Sequence, residues 1–307
     1  MKRGFYTIMS AQFFSSLADN ALFVAAVELL RTSGAPEWQR AALVPMFALF
    51  YVVLAPFVGA FADALPKGRV MFFSNAIKIV GCLMMLFGSH PLIAYAVVGL
   101  GAAAYSPAKY GILTELLPAS QLVKANGWIE GLTIASIILG VLLGGQLVGH
   151  HLSAALLSID IPMIDFGIHT AAEAAIAALI LVYALAAWFN TRIPHTGVEM
   201  RPLRQHPQRS ILASTLALLP DFWACNSRLW RDKLGQISLS TTTLFWGAGG
   251  NLKFIVLAWA GVALGYNTTQ ASALTGVVAI GTAVGAVAAS MRMRLDMATR
   301  VIPLGIA

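Results

Sequence analysis

Residues 59–69 read Gly59-Ala-Phe-Ala-Asp63-Ala-Leu-Pro-Lys67-Gly68-Arg69, and they stand between two apolar runs at 41–64 and 70–89. Each run has about the 20 residues that a helix needs to cross the hydrocarbon core of a bilayer. Pro66 and Gly68 interrupt helix propagation between them, and Lys67 and Arg69 hold the break in a polar layer. The stretch therefore reads as the connection between two consecutive spanning helices. Gly59 is expected to let those helices approach closely. Asp63 is placed to accept hydrogen bonds from a neighbouring helix N-terminus, and Arg69 to offer a two-pronged clamp to a carboxylate.

Working outward, the same pattern repeats. Spans are expected at about 5–30, 41–64, 70–89, 91–117, 122–149, 170–191, 237–264 and 268–290, with the start of a ninth near Val301. The whole chain is 58% hydrophobic and 11% charged, with a mean hydropathy of +0.77. A soluble domain carries about a quarter charged residues, so there is too little polar side chain here to cover a water-exposed surface. The runs are continuous rather than alternating, which excludes a β-barrel. The fold class is an all-α membrane bundle. Met1-Lys2-Arg3 and the apolar run behind it form a retained first helix rather than a cleaved signal, because the run is too long and contains Asp19.

Lys and Arg set the orientation. Fifteen fall on one side, among them Lys2, Arg3, Lys67, Arg69, Lys124, Arg192 and the series to Lys233, and only Arg31 and Arg40 fall on the other. The N-terminus is thus expected in the cytoplasm of a bacterial cell, with the chain threading the inner membrane. The chain divides into a six-helix half at 1–191, a basic cytoplasmic connection at 192–235 and an incomplete second half at 236–307. The connection reads as a solvated loop over an anionic leaflet, and its apolar piece Ile211–Leu219 is too short to span. Gly285–Arg294 faintly repeats the 59–69 pattern, with Ala289 in the place of Asp63. The net charge of +7 comes from these connections, so it is no footprint for nucleic acid. Cys82 and Cys225 lack the spacing of a metal site, and no metal or cofactor is expected.

Charges inside the spans are costly unless paired or facing a cavity. Asp19, followed by Asn20, lies near the middle of the first span, and Lys253 near the middle of the seventh. Lys109 and Glu130 stand at similar depths in the fourth and fifth spans, which makes a pair between them reasonable. Lys78 and Glu115 read as structural or interfacial, and Glu28, Glu173, His150 and His151 as solvated outer-end residues. No nucleophile–base pair stands out, so transport is favoured over catalysis.

Residues 59–69 resemble the loop between helices two and three of the major facilitator superfamily. Ala11-Gln-Phe-Phe-Ser-Ser-Leu-Ala-Asp19-Asn20-Ala-Leu22 is similar to the opening helix of its bacterial lysophospholipid transporters. The likeness continues in Gly101-Ala-Ala-Ala-Tyr105-Ser-Pro-Ala-Lys109-Tyr-Gly-Ile-Leu113, in Leu122-Val-Lys-Ala-Asn-Gly127 and in Thr243-Leu-Phe-Trp-Gly-Ala-Gly249. The resemblance implies a twelve-helix fold of two six-helix halves, relative to which eight spans and a fragment form a truncated bundle. It implies movement of lysophosphatidylethanolamine and related lipids across the inner membrane towards the cytoplasm. There a partner acyltransferase and acyl-carrier-protein synthetase would reacylate them. It places Asp19, Lys109 and Lys253 on the charged positions of a central cavity. At Lys253 the family leads one to expect arginine, and lysine keeps that charge without the planar fork.

On these residues Lys109 and Lys253 neutralise a lysolipid phosphate, Asp19 or Glu130 faces an amine, and Asn20 stands beside them. Gly59, Asp63, Lys67, Gly68 and Arg69 form a conformational latch that breaks as two halves rock. Gly-rich stretches at 99–111 and 247–250 are expected to provide a lateral opening for the acyl tail. Two other readings fit the composition: a proton-coupled exporter of amphipathic drugs, and a non-transporting scaffold or fragment ending at Ile302-Pro-Leu-Gly-Ile-Ala307.

Overall fold

A computed structural model describes residues 3–158, 168–200 and 211–265, with scattered helical positions between 277 and 291. All regular structure among these residues is helical. In chain order the helices are α1 (Arg3–Thr32), α2 (Glu37–Val53), α3 (Ala55–Ala64), α4 (Lys67–Leu86), α5 (Pro91–Leu116), α6 (Ala119–Val148), α7 (His150–Leu157), α8 (Ala171–Thr191), α9 (Ile211–Leu216), α10 (Leu218–Arg231) and α11 (Lys233–Leu264). The expected eighth span and the start of a ninth lie outside the described residues, apart from those scattered positions.

Local chemistry sets the boundaries. Helix α5 opens on Pro91, whose fixed φ suits a first helical position, while His90 accepts a hydrogen bond from the Leu92 N–H at 3.2 Å. It ends where Leu117 precedes Pro118 and is driven into an extended conformation. Helix α8 opens on a reciprocal cap in which the Glu173 N–H donates to Thr170 Oγ1 and the Thr170 N–H donates to Glu173 Oε2. Glu173 is thus a capping residue, beyond the solvated role expected of it.

Five helices, α1, α4, α5, α6 and α8, are long and apolar enough to cross a membrane. A sixth crossing follows if α2 and α3 form one span, bent by 66°. The bend has a specific cause: Pro56, in the first turn of α3, has no N–H to give and its ring crowds the preceding turn. The run expected as one helix over 41–64 is therefore two. The 192–235 connection also departs from the expected loop, since α9 and α10 occupy most of its second half.

The chain forms two compact units, Met1–Pro118 with Ala135–Arg209, and Ala119–Ile134 with Ser210–Ala307. In the first, α4 packs on α5 and α8, α1 on α8 and α5, and α2 and α3 lie against α5. Small residues make the closest of these contacts. A Cβ at Gly101 would sit 2.5 Å from the Ser74 carbonyl oxygen, so α5 meets α4 backbone to side-chain stem. Gly101 serves helix packing, and so does Gly99 against Phe47 of α2, rather than a lateral opening. Two apolar clusters result. One holds Leu22, Leu43, Cys82, Tyr95, Ile176 and Leu179, and the other Ile8, Val70, Met71, Tyr105 and Ile112. Outward-facing Val52, Leu181 and Phe87 are exposed, as befits helices whose solvent is lipid. In the second unit α10 packs on α9 and on α11.

Candidate functional site

Midway along α1, α4 and α8 the apolar packing gives way to a polar network. Lys78 of α4 donates from Nζ to Asp19 Oδ2 at 2.8 Å and to Ser15 Oγ at 2.9 Å. The Ser15 hydroxyl in turn donates to Asn75 Oδ1 at 2.8 Å. The Tyr183 hydroxyl of α8 donates to Asp19 Oδ1 at 2.7 Å. Each carboxylate oxygen of Asp19 thus has a donor, and the ammonium sits 5.2 and 5.5 Å from the ring centres of Tyr105 and Tyr183. Spacing explains the assembly: Ser15 and Asp19 are four residues apart on α1, and Asn75 and Lys78 three apart on α4, so each pair shares one helix face.

Burial is unequal across the pair. The Lys78 side chain is 2% exposed and that of Asp19 18%, so the carboxylate is the member an incoming group can reach. Among the described residues two buried polar atoms around Ser15 and Lys78, Asn75 Nδ2 and the Tyr105 hydroxyl, have no hydrogen-bond partner. Lys78, expected to be structural or interfacial, is the cation at the centre of this buried network. Asn20 lies next to the network, with its amide turned to the Ser16 carbonyl of its own helix at 2.8 Å. Lys109 is buried one turn along α5 from Tyr105 and its Nζ lies 4.3 Å from the Tyr110 ring centre. Glu130 is half-buried on the part of α6 that belongs to the second unit, whereas Lys109 belongs to the first. Lys253 is on α11, and its side chain lies outside the described residues.

At the end of the bundle formed by the α3–α4 junction, the 59–69 residues divide their tasks differently from expectation. Lys67, not Arg69, is the clamp. Its buried ammonium meets Asp63 Oδ1 at 2.5 Å and the Ala62 carbonyl at 2.8 Å, with Glu115 of α5 at 3.7 Å. Glu115 in turn accepts from Thr196 Oγ1 at 2.7 Å, which ties the segment after α8 into the same knot. Arg69 is exposed and makes no ion pair among the described residues. Asp63 takes its bond from a side chain four residues on rather than from a helix N-terminus, because α4 begins with Lys67 itself. Gly59 faces open space, with nothing within 4 Å of a Cβ placed there. Gly68 supplies the close approach instead: its Cβ would lie 3.0 Å from the Asn190 carbonyl oxygen and 3.1 Å from Ile193. A cavity of about 760 Å³ opens here, lined by Lys67, Arg69, Glu115, Asn190 and Thr196 among others.

The chain combines a network of charge midway along apolar helices with a salt-bridged knot at one end. The family model for the Major Facilitator Superfamily matches residues 8–306. The lysophospholipid transporter LplT of Yersinia enterocolitica is 40% identical over all 307 residues, which cover 69% of its length. That of Yersinia pestis is 39% identical over the same share. The chain belongs to the Major Facilitator Superfamily, in its bacterial lysophospholipid transporter family. Among solved structures, the proton:xylose symporter XylE superposes with a TM-score of 0.52 at 14% identity, over 94% of this chain and 69% of its own. At that identity the likeness concerns the helical fold. Membership makes the chain a multi-pass membrane transporter. In a transporter of this superfamily, charges at mid-bilayer depth are the natural place for a polar substrate group. Sequence reading missed Lys78, Tyr183, Ser15 and Asn75. The available signal was spacing on α1 and α4, each of which carried a second polar residue one turn from the first; Tyr183 stands among apolar neighbours on α8 and gave none.

Proposed function

We propose that this chain carries lysophospholipids such as lysophosphatidylethanolamine across the bacterial inner membrane towards the cytoplasm, where an acyltransferase and acyl-carrier-protein synthetase reacylate them. The single observation that carries the reading is the Asp19–Lys78 pair, charged, buried midway along its helices and more open on the carboxylate side. A lysophospholipid needs such a polar station and otherwise only apolar walls. In this scheme Asp19 or Glu130 receives the ammonium of the headgroup, Lys109 and Lys253 neutralise the phosphate, and Asn20 stands beside Asp19. The 59–69 residues act as a latch on the conformational equilibrium, with Lys67 bonded to Asp63 at its centre. The N-terminus faces the cytoplasm.

Uptake of labelled lysophosphatidylethanolamine into spheroplasts that lack their own transporter, with and without this chain, tests the reading. Expected is uptake that depends on the chain and is lost in Asp19→Asn. Export of amphipathic drugs with no lysolipid uptake would replace it with the proton-coupled exporter.

A further inference from the structure

Helix α10 takes no part in the site, and its residues sort cleanly by face. At 3.6 residues per turn, Leu218, Leu229, Phe222, Leu219, Trp230 and Trp223 fall in one arc of about 140°, interrupted by Asn226. Ser227, Arg231, Arg228 and Asp221 fall on the other side. None of its residues is buried, and Trp223 is 69% exposed. Fourteen residues rise about 21 Å, too short to cross a hydrocarbon core of about 30 Å. Three exposed large apolar groups, Phe222, Trp223 and Trp230, would be unfavourable in water, and two arginines would be unfavourable in lipid.

The position of the helix settles where both faces can be satisfied. Its C-terminal end is fixed to the start of α11, the helix that carries the expected seventh span. Asp232 caps α11 by accepting from the Gly235 N–H at 2.8 Å, and Gln236 Nε2 donates to the Trp230 carbonyl at 2.6 Å. Gly235 lies directly against the Leu229 backbone, where no Cβ fits. With α11 as the seventh span that the sequence leads one to expect, a helix tied this closely to its start lies at the membrane surface. There tryptophan is favoured by its apolar ring and polar edge, and arginine by its two-pronged fit to phosphate.

We propose that α10 is an interfacial helix that binds the anionic phospholipid surface, with Phe222, Trp223 and Trp230 at the acyl boundary and Arg228 and Arg231 on lipid phosphates. The amphipathic pattern is that of helices which lie in the interface plane. Lys233, two residues after the helix, adds to the attraction for a negative leaflet.

The test is a spin-label scan of the full chain in bilayers of phosphatidylethanolamine and phosphatidylglycerol. Cys225, the exposed cysteine, is first replaced by serine, and the buried Cys82 is kept. Labels replacing Leu219, Phe222 and Trp223 in turn should be reached by oxygen and shielded from a nickel chelate. Labels at Ala224, Ser227 and Arg231 should show the reverse, so that the depth parameter changes sign with the helical period. Arg228→Gln/Arg231→Gln should move the apolar-face labels outward in the anionic bilayer and not in phosphatidylcholine. Equal access of the nickel chelate to both faces would place α10 in water. Shielding of the apolar face from both reagents would mean that protein covers it. Either result overturns the proposal.

Discussion

Lys78 and Asp19 meet at 2.8 Å with opposite exposures, the cation enclosed and the anion partly open. Removing one member of a buried pair strands the other, at a cost of about 3–5 kcal/mol, whereas replacing both by apolar groups is often neutral. Lys78→Met is therefore expected to lower the melting temperature of the detergent-solubilised protein more than Lys78→Met/Asp19→Leu does. Strictly additive effects of the two changes would show that the pair is not coupled.

Tyr183 is fully buried and donates to the same carboxylate at 2.7 Å. Tyr183→Phe removes a bond to a charged acceptor, worth about 1.5–3 kcal/mol, less whatever water supplies on the open side of Asp19. Folding should survive, with a modest drop in melting temperature. Lysolipid uptake should fall, because the carboxylate loses one of two groups that fix its orientation. Uptake at the parent level would exclude Tyr183 from positioning Asp19.

The helices themselves were legible because each is a long apolar run with clear breaks, as at Leu117-Pro118 and at 64–67. The bend at Pro56 was not, since a proline inside an apolar run need not break it: Pro45 and Pro107 stand inside helices that continue. The site was half legible. A lone Asp19 in an apolar helix announces itself by its desolvation cost, but its partner is chosen by which helix packs beside it. Lys78 could not be preferred over Lys109 until α1 and α4 were known to pack on the same helix, α8. The same holds for Lys67 and Arg69: both flank Gly68, and only the path of the chain after α8 decides which one is enclosed.

The knot at Lys67 makes a prediction of its own. Lys67→Gln and Asp63→Asn should slow transport while membrane abundance stays near that of the parent, because the contact biases a conformational equilibrium. Arg69→Ala should have the smaller effect, since Arg69 is exposed. Gly68→Ala should also destabilise, as its Cβ presses on the Asn190 carbonyl at 3.0 Å; overpacking of this kind costs about 1–3 kcal/mol. Unchanged rates in both Lys67→Gln and Asp63→Asn would remove the latch.

Orientation is tested by a cysteine at the exposed Glu199 position in a Cys225→Ser background. An impermeant thiol reagent added to intact spheroplasts should leave it unlabelled, and permeabilisation should expose it. Rapid labelling of intact cells would invert the topology.

The lysines assigned to the phosphate separate a substrate role from a structural one. If Lys109 merely balances Glu130, exchanging their signs in Lys109→Glu/Glu130→Lys should preserve uptake as well as protein level. If it holds a phosphate, neutralising it should abolish uptake while the protein still accumulates, since a remaining acid can take up a proton rather than stay charged. The lost contact is charge-assisted and worth about 2–3 kcal/mol, so binding of a lysolipid should weaken about fifty-fold. Lys109 is buried on α5 one turn from Tyr105, whose ring faces the Lys78 ammonium, so the two cations belong to one stretch of the bundle. Uptake and membrane abundance measured together for Lys109→Ala, Lys253→Ala and Lys253→Arg decide the matter. The arginine variant should retain or gain activity, because it keeps the charge and adds a planar fork. Normal uptake in both alanine variants would put the phosphate elsewhere and leave the Asp19–Lys78 pair as the sole polar station for the headgroup.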